Sequence, residues 1–248
     1  MAPRDILRFA IGPIGGALSG LVILPLVTWF FAKEDVGRLS MLQVTLSFSV
    51  LLFSLGLDQA YVREFYDCKD KPSLLKQAML PGLMLLLFTL LVLLFSGDLL
   101  AVLLFDVSSI GLSALVALAL MASFISRFLS LILRMNDQGL AFSMGQLLPK
   151  LLLLTFIVLY VLLDAPKTLT NLVLATTISI FFVTIIFSWN TRREWLKAIS
   201  AGLDFRQLKA MLKFGLPLIL GGLAFWGLTA LDKVFLRTLS NFEELAVY

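Results

Sequence analysis

Residues 9–31 read FAIGPIGGALSGLVILPLVTWFF, an apolar stretch without a charge, and its reading decides the fold. A helix of that length, at ~1.5 Å per residue, crosses the roughly 30 Å hydrocarbon core of a bilayer. The stretch is too long for the apolar region of a secretory signal, and it has no small-residue cleavage site. Comparable stretches recur, and the spans read from the sequence are 9–31, 40–62, 74–96, 108–133, 140–163, 170–190 and 215–237. Leu99 to Phe105 is apolar but too short to cross, which places it at the interface. The composition is 60% hydrophobic and 15% charged, against about 25% charged for a soluble domain. The chain is therefore read as an all-α integral membrane protein.

The net charge of +4 carries less information than its distribution, and it gives no reason to expect a nucleic-acid partner. Arg4, Arg8, Arg63, Lys69, Lys71, Lys76, Arg134, Arg192, Arg193, Lys197, Arg206, Lys209 and Lys213 fall on one side of the membrane. Lys33, Arg38 and Lys167 fall on the other. Lys and Arg collect on cytoplasmic loops, so the N-terminus is expected in the cytoplasm of a multi-pass protein. The chain has no histidine and one cysteine, Cys68, so neither a zinc-type metal site nor an internal disulfide is expected. No cofactor is implied.

Near its C-terminus the chain begins to repeat its own beginning. Arg8-Phe9 opens an apolar span that ends at Glu34-Asp35-Val36-Gly37-Arg38-Leu39. Lys213-Phe214 opens another, ending at Glu243-Glu244-Leu245-Ala246-Val247-Tyr248. An even number of crossings separates the copies, which makes the repeat parallel, with about one extra helical turn in the second copy. Parallel repeats mark transporters built from two similar halves. The expected organisation is a six-helix lobe over 1–190, a linker over 191–214, and the first helix and following loop of a second lobe over 215–248. Within the linker, Trp195, Leu196, Ile199, Leu203, Leu208 and Leu212 lie among cations. That pattern suits an amphipathic helix at the cytoplasmic interface, or a positive loop that only fixes topology.

Several motifs carry a family resemblance. Leu55-Gly56-Leu57-Asp58-Gln59-Ala60-Tyr61-Val62-Arg63-Glu64-Phe65-Tyr66 resembles the close of the second helix in the Wzx-type polysaccharide-biosynthesis flippases. These belong to the multidrug/oligosaccharidyl-lipid/polysaccharide exporter superfamily. Lys33 to Ser40 is similar to the acidic doublet-aliphatic-Gly motif between that family's first two helices. Phe214-Gly215-Leu216-Pro217 and Leu231-Asp232-Lys233-Val234-Phe235-Leu236 resemble the start and end of its seventh helix, with Lys233 where Arg is more usual. The resemblance implies two six-helix lobes around a central cavity, of which this chain holds one lobe and the first helix of the other. It also implies, as partners, a polyprenyl-diphosphate-linked oligosaccharide, membrane lipids and the missing second lobe, in a bacterial or archaeal cytoplasmic membrane.

Moving such a cargo needs no covalent chemistry. It needs cations or polar groups in a wet cavity and lobes that open alternately. Ionisable residues inside a span are costly and so become candidates. Lys150 lies roughly 18 Å into the fifth span, near midmembrane, with Gln146 one turn earlier and Ser143 nearby. Pro149 removes a backbone donor beside it. The alternative for Lys150 is a structural pair with a carboxylate. Arg127, near Ser123, Ser126 and Ser130, either extends the cationic path or snorkels. Arg63 is either an anchor locked by neighbouring carboxylates such as Asp58, or a cation at the cytoplasmic mouth. By resemblance, Asp232 and Lys233 line the cavity or its outer gate, while Arg237 is expected to snorkel. Gly12, Gly16 and Gly20 form a close-packing line on the first span, which Pro25 would bend. Trp29, Tyr61, Trp189 and Trp195 are expected in interfacial belts.

Other readings stay open on sequence alone. They are a cation-coupled multidrug antiporter, a peptidoglycan-precursor flippase, and a fragment that inserts without transporting. A membrane glycosyltransferase would need an acidic cluster or His ligands, and the chain offers only the solvated Glu64, Asp67 and Asp70.

Overall fold

The computed structural model describes residues 3–247, with side chains from Ala10 to Ala246. The side chains of Arg4, Arg8, Phe9 and Val247, and all of Tyr248, lie outside the described residues. The helices are α1 (Pro3–Phe30), α2 (Lys33–Phe53), α3 (Leu57–Glu64), α4 (Lys71–Phe95), α5 (Leu99–Phe105) and α6 (Ile110–Met135). They are followed by α7 (Gly139–Leu162), α8 (Leu169–Asn190), α9 (Arg192–Ser200), α10 (Phe205–Leu239) and α11 (Phe242–Val247). Among the described residues there is no strand, and 7 helices are long and apolar enough to cross a membrane.

Local chemistry sets the boundaries. The side chains of Asp70, Ser109, Thr168 and Asp204 accept from backbone amides in the first turns of α4, α6, α8 and α10. Each satisfies a donor that the helix leaves orphaned. Asp106, Asp137 and Asp164 stand in left-handed backbone just after α5, α6 and α7. A short polar side chain tolerates that conformation, and the reversed chain closes on carbonyls such as Leu133 and Tyr160.

Two sequence readings require correction. The span read as 40–62 is not one helix, because α2 stops at Phe53 and α3 restarts at Leu57. Leu55 (φ 53°) and Gly56 (φ 66°) both turn left-handed in the gap. The reason is a backbone contact across the bundle. A Cβ on Gly56 would lie 2.2 Å from the carbonyl oxygen of Gly215 on α10, and one on Gly215 would lie 2.7 Å from that of Leu55. The linker is likewise not a single amphipathic helix. It breaks at 201–204, and α10 then runs 35 residues without interruption into the span. That is about 52 Å of helix against a roughly 30 Å core, so its basic first turns extend beyond the bilayer.

One end of the bundle, the basic end, gathers α3, α9 and the first turns of α4 and α10. At the opposite end α2 begins, α5 lies with Leu100, Ala101, Leu104 and Phe105 buried, and α11 docks on α2. A Cβ on Gly37 would lie 2.0 Å from the carbonyl oxygen of Phe242. Arg38 holds this end together, donating to Glu34 (2.8 Å), Asp35 (3.1 Å) and the Phe105 carbonyl (2.9 Å). The α1–α7 register, Gly12 on Ser143 and Gly16 on Lys150, makes those helices parallel. Since α10 ends where α7 and α1 end, α1 and α10 are parallel as well. Gly12, Gly15 and Gly16 receive α7, whereas a methyl at Gly20 would have nothing within 4 Å. The packing line is therefore shorter than the Gly12-Gly16-Gly20 pattern indicates.

Gly56→Ala meets both a left-handed backbone, costing about 1–2 kcal/mol, and the main chain of Gly215. The variant should melt at a clearly lower temperature in detergent, whereas Gly20→Ala should not. Scanning fluorimetry checks both, and equal melting temperatures would show that the break does not seat on α10.

Candidate functional site

Asp58 and Arg127, treated separately in the sequence, meet across α3 and α6. The guanidinium donates to one carboxylate oxygen through Nη2 (2.7 Å) and Nε (3.2 Å). The helix break creates this arrangement, because it puts Asp58 in the first turn of α3, where the helix dipole favours a carboxylate. Asp58 is 7% exposed. Arg127 does not stand as a bare cation: it pairs with a buried acid.

Arg63 is not locked by Asp58. Its guanidinium lies 4.3 Å above the ring of Phe214, a cation–π contact between α3 and α10. Beside it opens a cavity of about 480 Å³ lined by Arg63, Glu64, Asp67, Lys213 and Phe214. A chain of amides missed in the sequence ties α10 to the same end. Gln77, fully buried, donates to Gln207 (3.1 Å), and Gln207 donates to Glu64 (3.2 Å). Only the apolar surroundings of Gln77 in the third span hinted at it.

Lys150 lies on the flank of α7 that meets α1, and its Nζ donates to the Gly16 carbonyl at 2.7 Å. No ion pair among the described residues includes it. The small residues of α1 make this reach possible. Gln146 is exposed on α7 and Ser143 is fully buried against Gly12, so the polar stripe splits between an open face and a packed one. α7 continues through Pro149, and α1 through Pro25. Pro149 leaves the carbonyl four residues earlier, at Gly145, without its helical donor. The ring of Phe187 packs against that glycine, 2.1 Å from where a Cβ would stand.

On α10, the carboxylate of Asp232 accepts from the backbone amide of Lys233 (2.8 Å). Arg237 pairs with Asp106 (3.1 Å) and lies over Phe242. Trp226, not singled out in the sequence, donates to Ser47 Oγ (3.1 Å) and packs on Phe48, joining α10 to the middle of α2. Tyr61 leaves the interfacial belt for the core, while Trp29 and Trp189 are exposed. Among the described residues, no three His, Cys, Asp or Glu side chains gather to hold a metal.

Helices of spanning length, with charges neutralised or held on main-chain carbonyls within them, define a multi-pass all-α membrane protein. The sequence model of the polysaccharide biosynthesis protein family matches residues 4–248, and the chain belongs to that family. No curated protein and no solved structure matched it.

The Asp58–Arg127 pair is testable by a double-mutant cycle. Asp58→Asn and Arg127→Gln should each destabilise, and the double variant should lose less than their sum, with a coupling of about 0.5–3 kcal/mol. Unfolding in mixed micelles measures it, and additive losses would mean that the two groups do not interact.

Proposed function

We propose that the chain forms the translocating first lobe, with the first helix of a second, of a flippase for a polyprenyl-diphosphate-linked oligosaccharide. Lys150 carries this reading. Its ammonium is held on a neutral carbonyl halfway along the spanning helix α7, without a counter-carboxylate among the described residues. A cation so placed is expensive in a bilayer unless an anion shares its site. A diphosphate supplies that charge. Arg63 and Lys213, at the cavity beside α3 and α10, are suited to meeting the same anion as it enters.

The charge pattern supports an anionic cargo over a cationic one. The buried carboxylate nearest the basic end, Asp58, is engaged by Arg127 and does not stand ready for a cationic drug. The lysine and arginine asymmetry supports an N-terminus in the cytoplasm of a bacterial or archaeal cell, with the basic end inward. The reading is a transport function, with alternating access shared with a second lobe and no covalent step.

Lys150→Ala and Lys150→Gln, expressed in place of the wild type, should each lower surface polysaccharide by about tenfold or more, the worth of a charge-assisted hydrogen bond to phosphate. Lys150→Arg should keep most of it. Immunoblots normalised to membrane protein level give the readout. Undiminished polysaccharide in both neutral variants would remove Lys150 from the mechanism.

A further inference from the structure

α3 separates two cavities at the basic end. Arg63, Glu64 and Asp67 face the one already described. Tyr61 and Phe65, on the other face of α3, line a second cavity of about 320 Å³ enclosed with α4, α6 and α9. Its polar wall is Lys71 from α4, Asn136 from the C-terminal end of α6, and Arg193, Glu194 and Lys197 from α9. Cations outnumber the carboxylate three to one. Glu194 Oε2 is buried and has no hydrogen-bond partner among the described residues. A buried acceptor without a donor is costly, so the cavity is built for an occupant that brings a donor as well as a negative charge.

A groove of about 380 Å³ adjoins this cavity, with Leu75 lining both. Its walls are almost wholly apolar, among them Met79, Leu80 and Leu83 of α4 and Trp195 and Ile199 of α9. Beyond its end, α4 presents exposed Met84, Phe88 and Leu91, the surface of a helix that faces acyl chains. α9 is the shared wall, and it is fixed in place. Lys76 Nζ donates to the carbonyls of Ile199 (2.9 Å) and Ala201 (2.7 Å), and Trp195 Nε1 donates to that of Ser188 (2.8 Å). The C-terminal carbonyls of α9 are thereby satisfied, and its cations are held toward the cavity.

We propose that α4, α6 and α9 form a binding site for one anionic phospholipid, with its phosphate among Lys71, Arg193 and Lys197 and one acyl chain in the groove. A hydroxyl-bearing headgroup, such as glycerol, gives Glu194 the donor it lacks. The occupant is a lipid and not a free anion because the charged cavity opens into an apolar groove that continues onto the lipid-facing side of α4. The site stands apart from Lys150 and from the cargo's route, so it holds or fails independently of the transport reading.

Native mass spectrometry of the full chain tests it, with the protein loaded from vesicles of dioleoyl phosphatidylglycerol or dioleoyl phosphatidylcholine. One phosphatidylglycerol should survive activation that strips phosphatidylcholine. Lys71→Gln/Arg193→Gln/Lys197→Gln should weaken its retention about a hundredfold, the combined effect of three basic side chains at an anionic headgroup. Leu80→Trp, which fills the groove and keeps every charge, should also weaken it. Lys71→Arg/Lys197→Arg should retain the lipid, which separates lost charge from lost fold. Equal retention of the two lipids, or undiminished retention in the neutralised variant, would overturn the proposal. Inorganic phosphate binding equally to wild type and Leu80→Trp, with no lipid retained, would instead assign the cavity to a free anion and also overturn it.

Discussion

The main-chain contact between Gly56 and Gly215 is the constraint on which the basic half of the bundle depends. Two backbones meet there at a distance that excludes a methyl on either side. For α10 to come so close, α2 must end, and the left-handed pair Leu55-Gly56 ends it. The restart as α3 then sets the direction of each polar group around it. Asp58 falls in the first turn and turns toward Arg127, while Arg63, five residues on, stacks on Phe214 just before Gly215. Gln207, two turns earlier on α10, reaches Glu64 and Gln77. A continuous second helix would rotate all of these groups away from their partners.

Two cations within the spans are treated in opposite ways. Arg127 is matched to a carboxylate and makes a locally neutral link between α3 and α6. Removing Arg127 from such a link would leave the buried Asp58 charge without its partner. Lys150 is matched to a carbonyl dipole, which orients the ammonium without cancelling it. The glycines of α1 make it possible, because a bulkier helix would keep the ammonium away from the Gly16 carbonyl. Packing and charge placement are one design here: small residues on α1 set the distance, and α7 supplies the cation.

Much of the fold was legible because lipid restricts the choices. Long uncharged stretches such as 9–31 have one stable form in a bilayer, and the helices follow from length and hydropathy. The position of Lys150 was legible for the same reason, halfway along an apolar span, but its carbonyl partner on α1 was not. Sequence could not show the features that depend on a partner distant in the chain. The break at Leu55-Gly56 answers to Gly215, about 160 residues away, and local periodicity carries no trace of it. Asp58 looked like a partner for Arg63 because the two are near in sequence, yet the helix break turned it to Arg127. The partner of Arg237 was hidden too, because Asp106 comes from the loop after α5. The cavity beneath α9 was illegible as well, since Lys71, Asn136 and Arg193 come from three separate elements.

The repeat acquires a physical meaning in the docking of α11 on α2. In the repeat as read from the sequence these are corresponding parts, the segments that carry Glu34-Asp35 and Glu243-Glu244. Docking two acidic segments on one another is unfavourable unless cations accompany them. Arg38 fills that role from the first copy, bonded to both members of its own doublet and lying 5.1 Å from the Phe242 ring. The aligned position in the second copy is Val247, so the second cation comes instead from the preceding helix, as Arg237, 5.6 Å from the same ring. Both guanidiniums thus lie near the same aromatic ring, and Asp106 and the first doublet balance their charge. Gly37 lets the backbones close, because any side chain there would strike Phe242. The copies therefore have to differ. Two identical motifs, each with its own arginine and glycine, would lack the aromatic and the register that let one seat on the other.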